Sequence, residues 1–342
     1  MKKILVCALL LCLNVALFAQ EKKLAAYSIA FYNLENIFDT IPGDNDKEYT
    51  PEGPTKWNTM KYQSKLKNMS YALSQLAIEK CPIGPAVIGV AEVENRTVLE
   101  DLVKTGDLAK RNLQIVHYDG PDYRGVDVAM LYNPKLFTYE GSQSRTVVDK
   151  VEPKFKTRDQ LVVRGRIAGD LFHIIVCHWP SRRGGEERSR PKRAMAAELT
   201  KSIVDSIQQV APESKIVIMG DLNDDPYNYS VKDVLGAKKK QSEVKPGGLY
   251  NPFWSILDKG IGTLAYKGQW NLFDQIIISY NLLGKDRSNL KYWQAEVFNR
   301  DFLKNQEGQY KGYPKRTHAG GVWLNGYSDH FPTIIYMLKE VN

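Results

Sequence analysis

The chain is poor in cysteine, with four in 342 residues. Cys7 and Cys12 fall in the first segment, leaving Cys81 and Cys177 for any fold that follows. A disulfide-stapled scaffold is thereby excluded, and a single bridge between those two is allowed without being fixed by their spacing. Cys177 sits inside an apolar run and reads as a small core residue. There is no internal repeat, no low-complexity linker, and no compositional bias toward disorder or fibres. The apolar run Ile4 to Phe18 is too short for a comfortable membrane span. Neither Cys7 nor Cys12 follows a small residue, which counts against a lipoprotein. No amphipathic insertion stands out for lipid contact.

What is present begins with the pattern of an export signal. Met1-Lys2-Lys3 supplies positive charge, the apolar run follows, and Ala19 offers a small residue for cleavage. Leu17 fills the place where a second small residue is usual, and Ala16 lies one position too early. Residues 1–19 are therefore expected to be a signal peptide, and the mature protein to be exported, either to the periplasm or out of the cell. The formal charge of +8 falls by two when Lys2 and Lys3 leave, so the mature chain stays basic and favours polyanionic partners.

The remainder, 43% hydrophobic overall, is long enough for a full core. Strands are expected at Leu24–Tyr32, Ala86–Val90, Leu113–His117, Val126–Tyr132, Lys135–Tyr139, Gln160–Ile167, Leu171–His178, around Ile216, and at Phe273–Ser279, Tyr292–Val297 and Thr333–Met337. Helical periodicity covers Trp57–Ile78, Arg96–Leu108 and roughly Glu187–Gln209. Asn223 to Asn271 reads as a long polar insertion. This is an α/β pattern with mixed strand direction. Chemistry-bearing residues lie at both ends and in the middle, so residues 20–342 are expected to form one domain.

Lys215-Ile216-Val217-Ile218-Met219-Gly220-Asp221-Leu222-Asn223 is the most informative stretch. A buried strand exits sharply at Gly220 and delivers Asp221 and Asn223 to one side. Similar fragments recur at four other strand ends. They are Tyr32-Asn33-Leu34-Glu35-Asn36, Val90-Ala91-Glu92-Val93-Glu94-Asn95, Cys177-His178-Trp179-Pro180-Ser181-Arg182-Arg183, and Phe273-Asp274-Gln275 together with Ser328-Asp329-His330. Carboxylates at several neighbouring strand ends repel one another unless compensated. A hard divalent cation with oxygen ligands is the simplest compensation, and histidines beside Asp suit proton transfer or charge stabilisation.

With Gly220-Asp221-Leu222-Asn223 and Ser328-Asp329-His330 as its most specific motifs, the sequence resembles the endonuclease/exonuclease/phosphatase superfamily over essentially the whole mature chain. The resemblance implies a four-layer α/β/β/α sandwich of two packed mixed sheets. It implies a Mg²⁺ site, with Mn²⁺ or Ca²⁺ as alternatives, at Glu92 with Asn33, Glu35 and Asp329. Asp221 would handle the attacking water and Asn223 the scissile phosphate. His330, oriented by Asp274, would stabilise the phosphoryl oxygens, and His178 would act near the leaving group. For the carboxylate partner of His178, Glu94 and Asp127 are both open. Arg158 and Arg124 resemble phosphate-contacting arginines.

The activity so implied is hydrolysis of phosphate esters. The Arg-rich segment Ser181 to Arg193 beside His178 favours nucleic acid as substrate, and Trp179, Tyr227, Tyr229 and Trp254 are candidates for stacking on bases or for the core. The alternative is a phosphatase or phosphodiesterase acting on small phosphate esters such as inositol phosphates, or on phospholipid head groups. A binding module without catalysis would not need both histidines and Asp221.

Overall fold

Along the Lys215–Asp221 strand, Val217 and Met219 pack into one apolar cluster while Ile216 and Ile218 pack into another. A period-two strand that is apolar on both faces must be covered on both faces, and that requirement organises the fold. The computed structural model describes residues 23–43 and 48–341; the expected leader Met1–Ala19 lies outside them.

Two six-stranded sheets are packed face to face. The first runs in the order Lys291–Val297, Thr333–Val341, Lys23–Ile37, Val87–Val93, Asp127–Tyr132, Gln114–His117. The second runs Phe137–Arg145, Gln160–Ile167, Asp170–His178, Lys215–Asp221, Asp274–Ser279, Leu249–Tyr250. Each is antiparallel except for one parallel pair, Lys23–Ile37 with Val87–Val93 in the first and Asp170–His178 with Lys215–Asp221 in the second. The expected mixed sheets are therefore present.

The larger cluster joins the facing sides of the sheets through Phe31, Met130, Val176, Met219 and Ile276, and continues through the first sheet to helix α1 (Thr59–Ser74) by way of Leu66, Met69 and Leu73. Helix α2 (Arg96–Lys104) adds Val98, Leu99 and Leu102 to it. Helix α3 (Glu186–Val210) covers the outer face of the second sheet with Ala196, Ala197, Ile203, Val204 and Ile207. The layers read α/β/β/α, as the resemblance implied.

Several boundaries differ from the sequence expectation, each for a local reason. The first strand runs on to Ile37 because a bulge, marked by the register shift between Asn33 and Ile37, carries it past the sheet edge. The expected start at Lys135 moves to Phe137, since the Leu136 and Phe137 amides close a turn onto the Asn133 carbonyl. Helix α1 stops at Ser74, short of the expected Ile78. The stretch expected as a polar insertion buries Asp224, Asp225, Val231, Leu235 and Phe253, and is a packed part of the domain. Cys81 and Cys177 are both free and buried.

A short hairpin, His318–Ala319 with Val322–Trp323, closes over the start of α1. The His318 ring lies 5.0 Å from Trp323, 5.9 Å from Trp57 and 6.3 Å from Tyr49, and its Nε2 is buried without a hydrogen-bond partner. Burial, with the positive charges of Lys61, Lys65 and Arg316, lowers its pKa to about 4. In an unfolded chain the ring titrates near 6.5. Between those values the unfolded chain binds a proton that the folded one does not, so this residue's contribution to stability is lost as pH falls from about 6.5 toward 4. Urea unfolding of the wild type and His318→Phe across that range should show a shallower acid loss in the variant; identical slopes would refute the buried neutral ring.

Candidate active site

The two parallel pairs point their strand ends at the same edge of the sandwich. Asn33 lies beside Ala91 at the end of one pair, and His178 lies beside Asp221 at the end of the other. Asp274, at the start of an antiparallel strand, is registered opposite Asp221. Thr333 pairs with Phe31, which brings His330 to the same edge from the other direction. Glu35, Asn36, Glu92 and Asn223 have φ of 51°, 50°, 61° and 51°. Left-handed backbone is uncommon for residues other than glycine, and where it clusters the surrounding structure must hold it. The first sheet's strands shift register between Asn33 and Ile37 and between Ala91 and Val93, so Glu35 and Glu92 leave on bulges. Those bulges re-aim the Asn36 N–H, which donates to Glu92 Oε2 at 3.0 Å. Just beyond, Asn95 caps α2 by accepting from the Val98 amide, which fixes the exit of the Glu92 strand.

Asp221 stands at the centre. Its Oδ2 accepts from Asn33 Nδ2 at 3.1 Å and its Oδ1 from the Asn223 amide at 3.0 Å. His178 Nε2 is 3.4 Å and His330 Nε2 4.0 Å from its Oδ2. Burial, then the charges of Asp274 and Glu92, raise the Asp221 pKa to about 7, although His330 opposes the shift. His330 Nδ1 lies 2.7 Å from Oδ2 of the fully buried Asp274. Burial alone would lower the His330 pKa, but Asp274's charge and hydrogen bond, with Asp329 and Asp221, hold it well above the ordinary value. His178 goes the other way, pushed well down by burial and by Arg158, Arg124 and His330. The two imidazoles of one cleft are thus pushed in opposite directions, His330 toward its charged form and His178 toward its neutral one.

A second acidic group borders this centre. Glu92 Oε1 is 3.3 Å from Arg124 Nη2 and 3.8 Å from His178 Nε2. Glu35 accepts from the Thr317 amide at 2.5 Å and meets Arg316 Nε at 3.2 Å. Arg316 Nη2 bridges on to Asp329 at 3.0 Å. Burial and the Asp329 charge raise the Glu35 pKa to about 7. After burial, Glu92 and Glu35 are the main charges that push the Tyr49 phenol upward, so both act on the same space. Carboxylate and amide oxygens without sulfur, crowded into one partly buried space, fit a hard divalent cation. Asp221, Asp274 and His330 also bring ligand atoms within 4.8 Å of one another, but the His330–Asp274 hydrogen bond accounts for that grouping.

The sequence expectations for Asn33, Glu92, Asp221, Asn223, Asp274, His178 and His330 converge on one cleft, with Glu35 and Asp329 on its Arg316 side. Two expectations need correction, and one open alternative, for Trp179, is resolved. Arg158 is buried, with Nε donating to the His178 carbonyl at 3.2 Å, Nη2 to the Trp179 carbonyl at 2.7 Å and Nη1 to Asp122 at 3.2 Å. Its donors hold the backbone behind His178 and do not face a phosphate. Neither expected partner of His178 reaches it: Glu94 accepts from the Asp39 amide and Asp127 pairs with His117. Asp221 and Glu92 stand there instead. Trp179, 1% exposed, belongs to the core and not to a stacking surface. Arg124 keeps a third of its side chain open at the rim beside Glu92 and Asp122.

Residues that sequence reasoning missed are the cations and loops that hold the acids. Arg316 and Thr317 reach Glu35 from the far end of the chain. Lys65, wholly buried on α1, donates to Thr317 Oγ1 and to the Tyr327 carbonyl. Asn223 gives its side-chain N–H to the Trp179 carbonyl at 3.0 Å, and Arg182 holds its backbone carbonyl at 2.9 Å.

A family model described as "Endonuclease/Exonuclease/phosphatase family" matches residues 28–339. No curated protein matches the chain. Among solved structures, a humanized D. rerio TDP2 is similar with a TM-score of 0.56 at 12% identity, covering 91% of this chain and 98% of its own. An endonuclease/exonuclease/phosphatase family protein from Bacteroides thetaiotaomicron gives 0.55 at 13%, with 94% and 97% covered. The human Nocturnin catalytic domain gives 0.53 at 13%, with 94% and 98% covered.

A cation that binds only the folded protein stabilises it, by about 2.7 kcal/mol at a hundredfold excess over Kd. Thermal melting in millimolar Mg²⁺ against EDTA should raise Tm for the wild type and leave Glu92→Ala unmoved. An equal rise in the variant would take the cation away from Glu92.

Proposed function

We propose, from the premise that this chain belongs to the endonuclease/exonuclease/phosphatase family, that it is a divalent-cation-dependent phosphodiesterase cleaving nucleic acid. The family acts on phosphoester bonds; the nucleic-acid substrate and the choice of Mg²⁺ are our own inference. The observation that carries it is the meeting of Asp221, His178, His330 and Glu92 within hydrogen-bonding or ion-pairing reach in one cleft. A D. rerio TDP2 of the same fold has been solved with a single-strand DNA product, which supports the choice of substrate.

Each residue's part follows from its surroundings. A carboxylate whose pKa lies near 7 is a competent base at neutral pH, and Asn33 and the Asn223 amide hold one hydrogen bond to each Asp221 oxygen and so fix its orientation. The His330 imidazolium, oriented by Asp274, offers its Nε2–H to a phosphoryl oxygen where negative charge builds, the kind of fixed donor that acts mainly by preorganisation. His178, neutral, places Nε2 between Glu92 and Asp221, suited to exchange a proton with the departing oxygen. Arg124 at the rim is placed to turn toward a second phosphate oxygen. A Mg²⁺ ion held by Glu92, with Asn33, Glu35 and Asp329 around it, would supply Lewis-acid charge stabilisation.

Export is part of the same proposal, resting on the Met1–Ala19 leader; N-terminal sequencing of secreted protein should begin at Gln20. For the activity, plasmid DNA, RNA, inositol phosphates and sphingomyelin are incubated with the protein in Mg²⁺ or chelator. Cleavage of DNA or RNA that chelator abolishes is the expected result, whereas turnover of small phosphates alone would move the substrate class. His330→Ala should slow turnover on the order of a hundredfold, the usual cost of losing an oxyanion donor; near-wild-type rates would remove His330 from the chemistry.

A further inference from the structure

Beside the catalytic cleft lies a separate groove of about 590 Å³, which shares Arg158 and Thr157 with the wall behind His178. Its floor is the buried Arg158, and its sides come from the segment before the Gln160–Ile167 strand and from the loop and first turns of α3. Lys154, Lys156, Arg183, Arg188 and Lys192 line it against a single acid, Glu152. Glu152 is engaged by Lys192 at 2.8 Å. Lys154, Lys156 and Arg188 are exposed and form no ion pair among the described residues.

The groove is built rather than merely charged. Lys192 Nζ sits 4.0 Å over the Phe155 ring, so that wall is a cation stacked on an aromatic face. Across from it, Arg183 Nη1 donates to the Tyr123 hydroxyl at 3.0 Å, tying the α3 loop to the loop that carries Arg124. Tyr123 is 56% exposed and lines the groove, so its ring is open to a ligand there. Because Arg158 holds both the His178 and Trp179 carbonyls, whatever lies on the groove is in fixed register with the catalytic edge.

We propose that this groove binds single-stranded nucleic acid flanking the scissile phosphate, the inference resting on the phosphodiesterase reading above. Cations without acids track a phosphate backbone, and ring faces take unstacked bases; the two together are the marks of a single-strand track. The volume takes a molecule of drug size, roughly one or two nucleotides. An inositol phosphate or a phospholipid head group would use the cations but leave the open Tyr123 ring without a role.

The test uses Lys154→Ala, Lys156→Ala and Arg188→Ala combined, three exposed side chains outside the catalytic cleft. Binding of a fluorescent 12-nucleotide strand is read by anisotropy in Mg²⁺, in an Asp221→Asn background so that no cleavage intervenes; turnover of bis(p-nitrophenyl) phosphate is read with Asp221 intact. The triple variant should weaken strand binding about tenfold or more. Its logarithmic salt dependence should become shallower by about two, at roughly 0.7 for each single-strand phosphate that is no longer neutralised. Small-ester turnover should be unchanged. Tyr123→Ala should weaken strand binding without altering the salt slope. Unchanged strand affinity in the triple variant, or equal affinity for a duplex of the same sequence, overturns the proposal. If the unmodified protein cleaves neither the small ester nor the strand while strand binding still depends on the three cations, the phosphodiesterase reading falls and the groove stands.

Discussion

Carboxylates crowded into one water-poor cleft repel one another, and the site exists only because positive charge has been built in around them. Burying a charge without a partner costs several kcal/mol, and removing one member of a buried pair leaves the other uncompensated. Here the compensation is distributed. Arg316 spans Glu35 and Asp329. Arg124 spans Glu92 and Asp122, and Arg158 takes the other Asp122 oxygen. His330 carries the charge that Asp274 requires. Even so, burial first, with the charges of neighbouring carboxylates after it, keeps the pKa values of Glu35 and Asp221 near 7, a residue of desolvation and repulsion that protein cations have not removed. That residue is what a bound divalent ion would relieve.

The backbone contributes in the same direction. Glu35 and Glu92 sit in left-handed conformations on bulges at the ends of a parallel pair, and such positions cost of order 1–3 kcal/mol each. Without the bulges, period-two alternation would fix each side chain to one sheet face, and no regular strand would bring both carboxylates over the edge. Gly220 plays a related part in the second sheet, where a Cβ would collide with the Cys177 carbonyl oxygen. The close approach of those two strands is what sets His178 against Asp221.

Much of this was legible in the sequence, because strand alternation and strand-end polar residues are local signals. Ile216 to Met219 announced a strand covered on both faces, and Asp221 and Asn223 announced a site at its end. The four-layer packing came only through resemblance, since apolar runs do not say which sheet they join. Arg158 was misread for a physical reason: an arginine near a site looks the same in sequence whether its fork meets a phosphate or the backbone, and only Asp122 and the His178 and Trp179 carbonyls decide it. The carboxylate beside His178 stays open in the sequence between Glu94 and Asp127, while sheet register supplies Asp221. Lys65 and Arg316 carried no signal, as their partners lie almost the whole chain away.

The basic character of the chain can now be divided by burial. Lys65, Arg158 and Arg193 are enclosed and matched to acids or carbonyls; they hold the architecture and contribute little to the field outside. Surface pairs such as Arg96 with Glu100 and Lys201 with Asp205 cancel at short range and are each worth little. What remains near the catalytic edge is the unmatched set on the groove beside His178. Screening confines an exposed charge to about 8–10 Å in physiological salt, so an overall excess of +8 matters to a ligand only where its members stand together. Their position, across the buried Arg158 from His178, gathers the unpaired surface charge on one groove beside the candidate site.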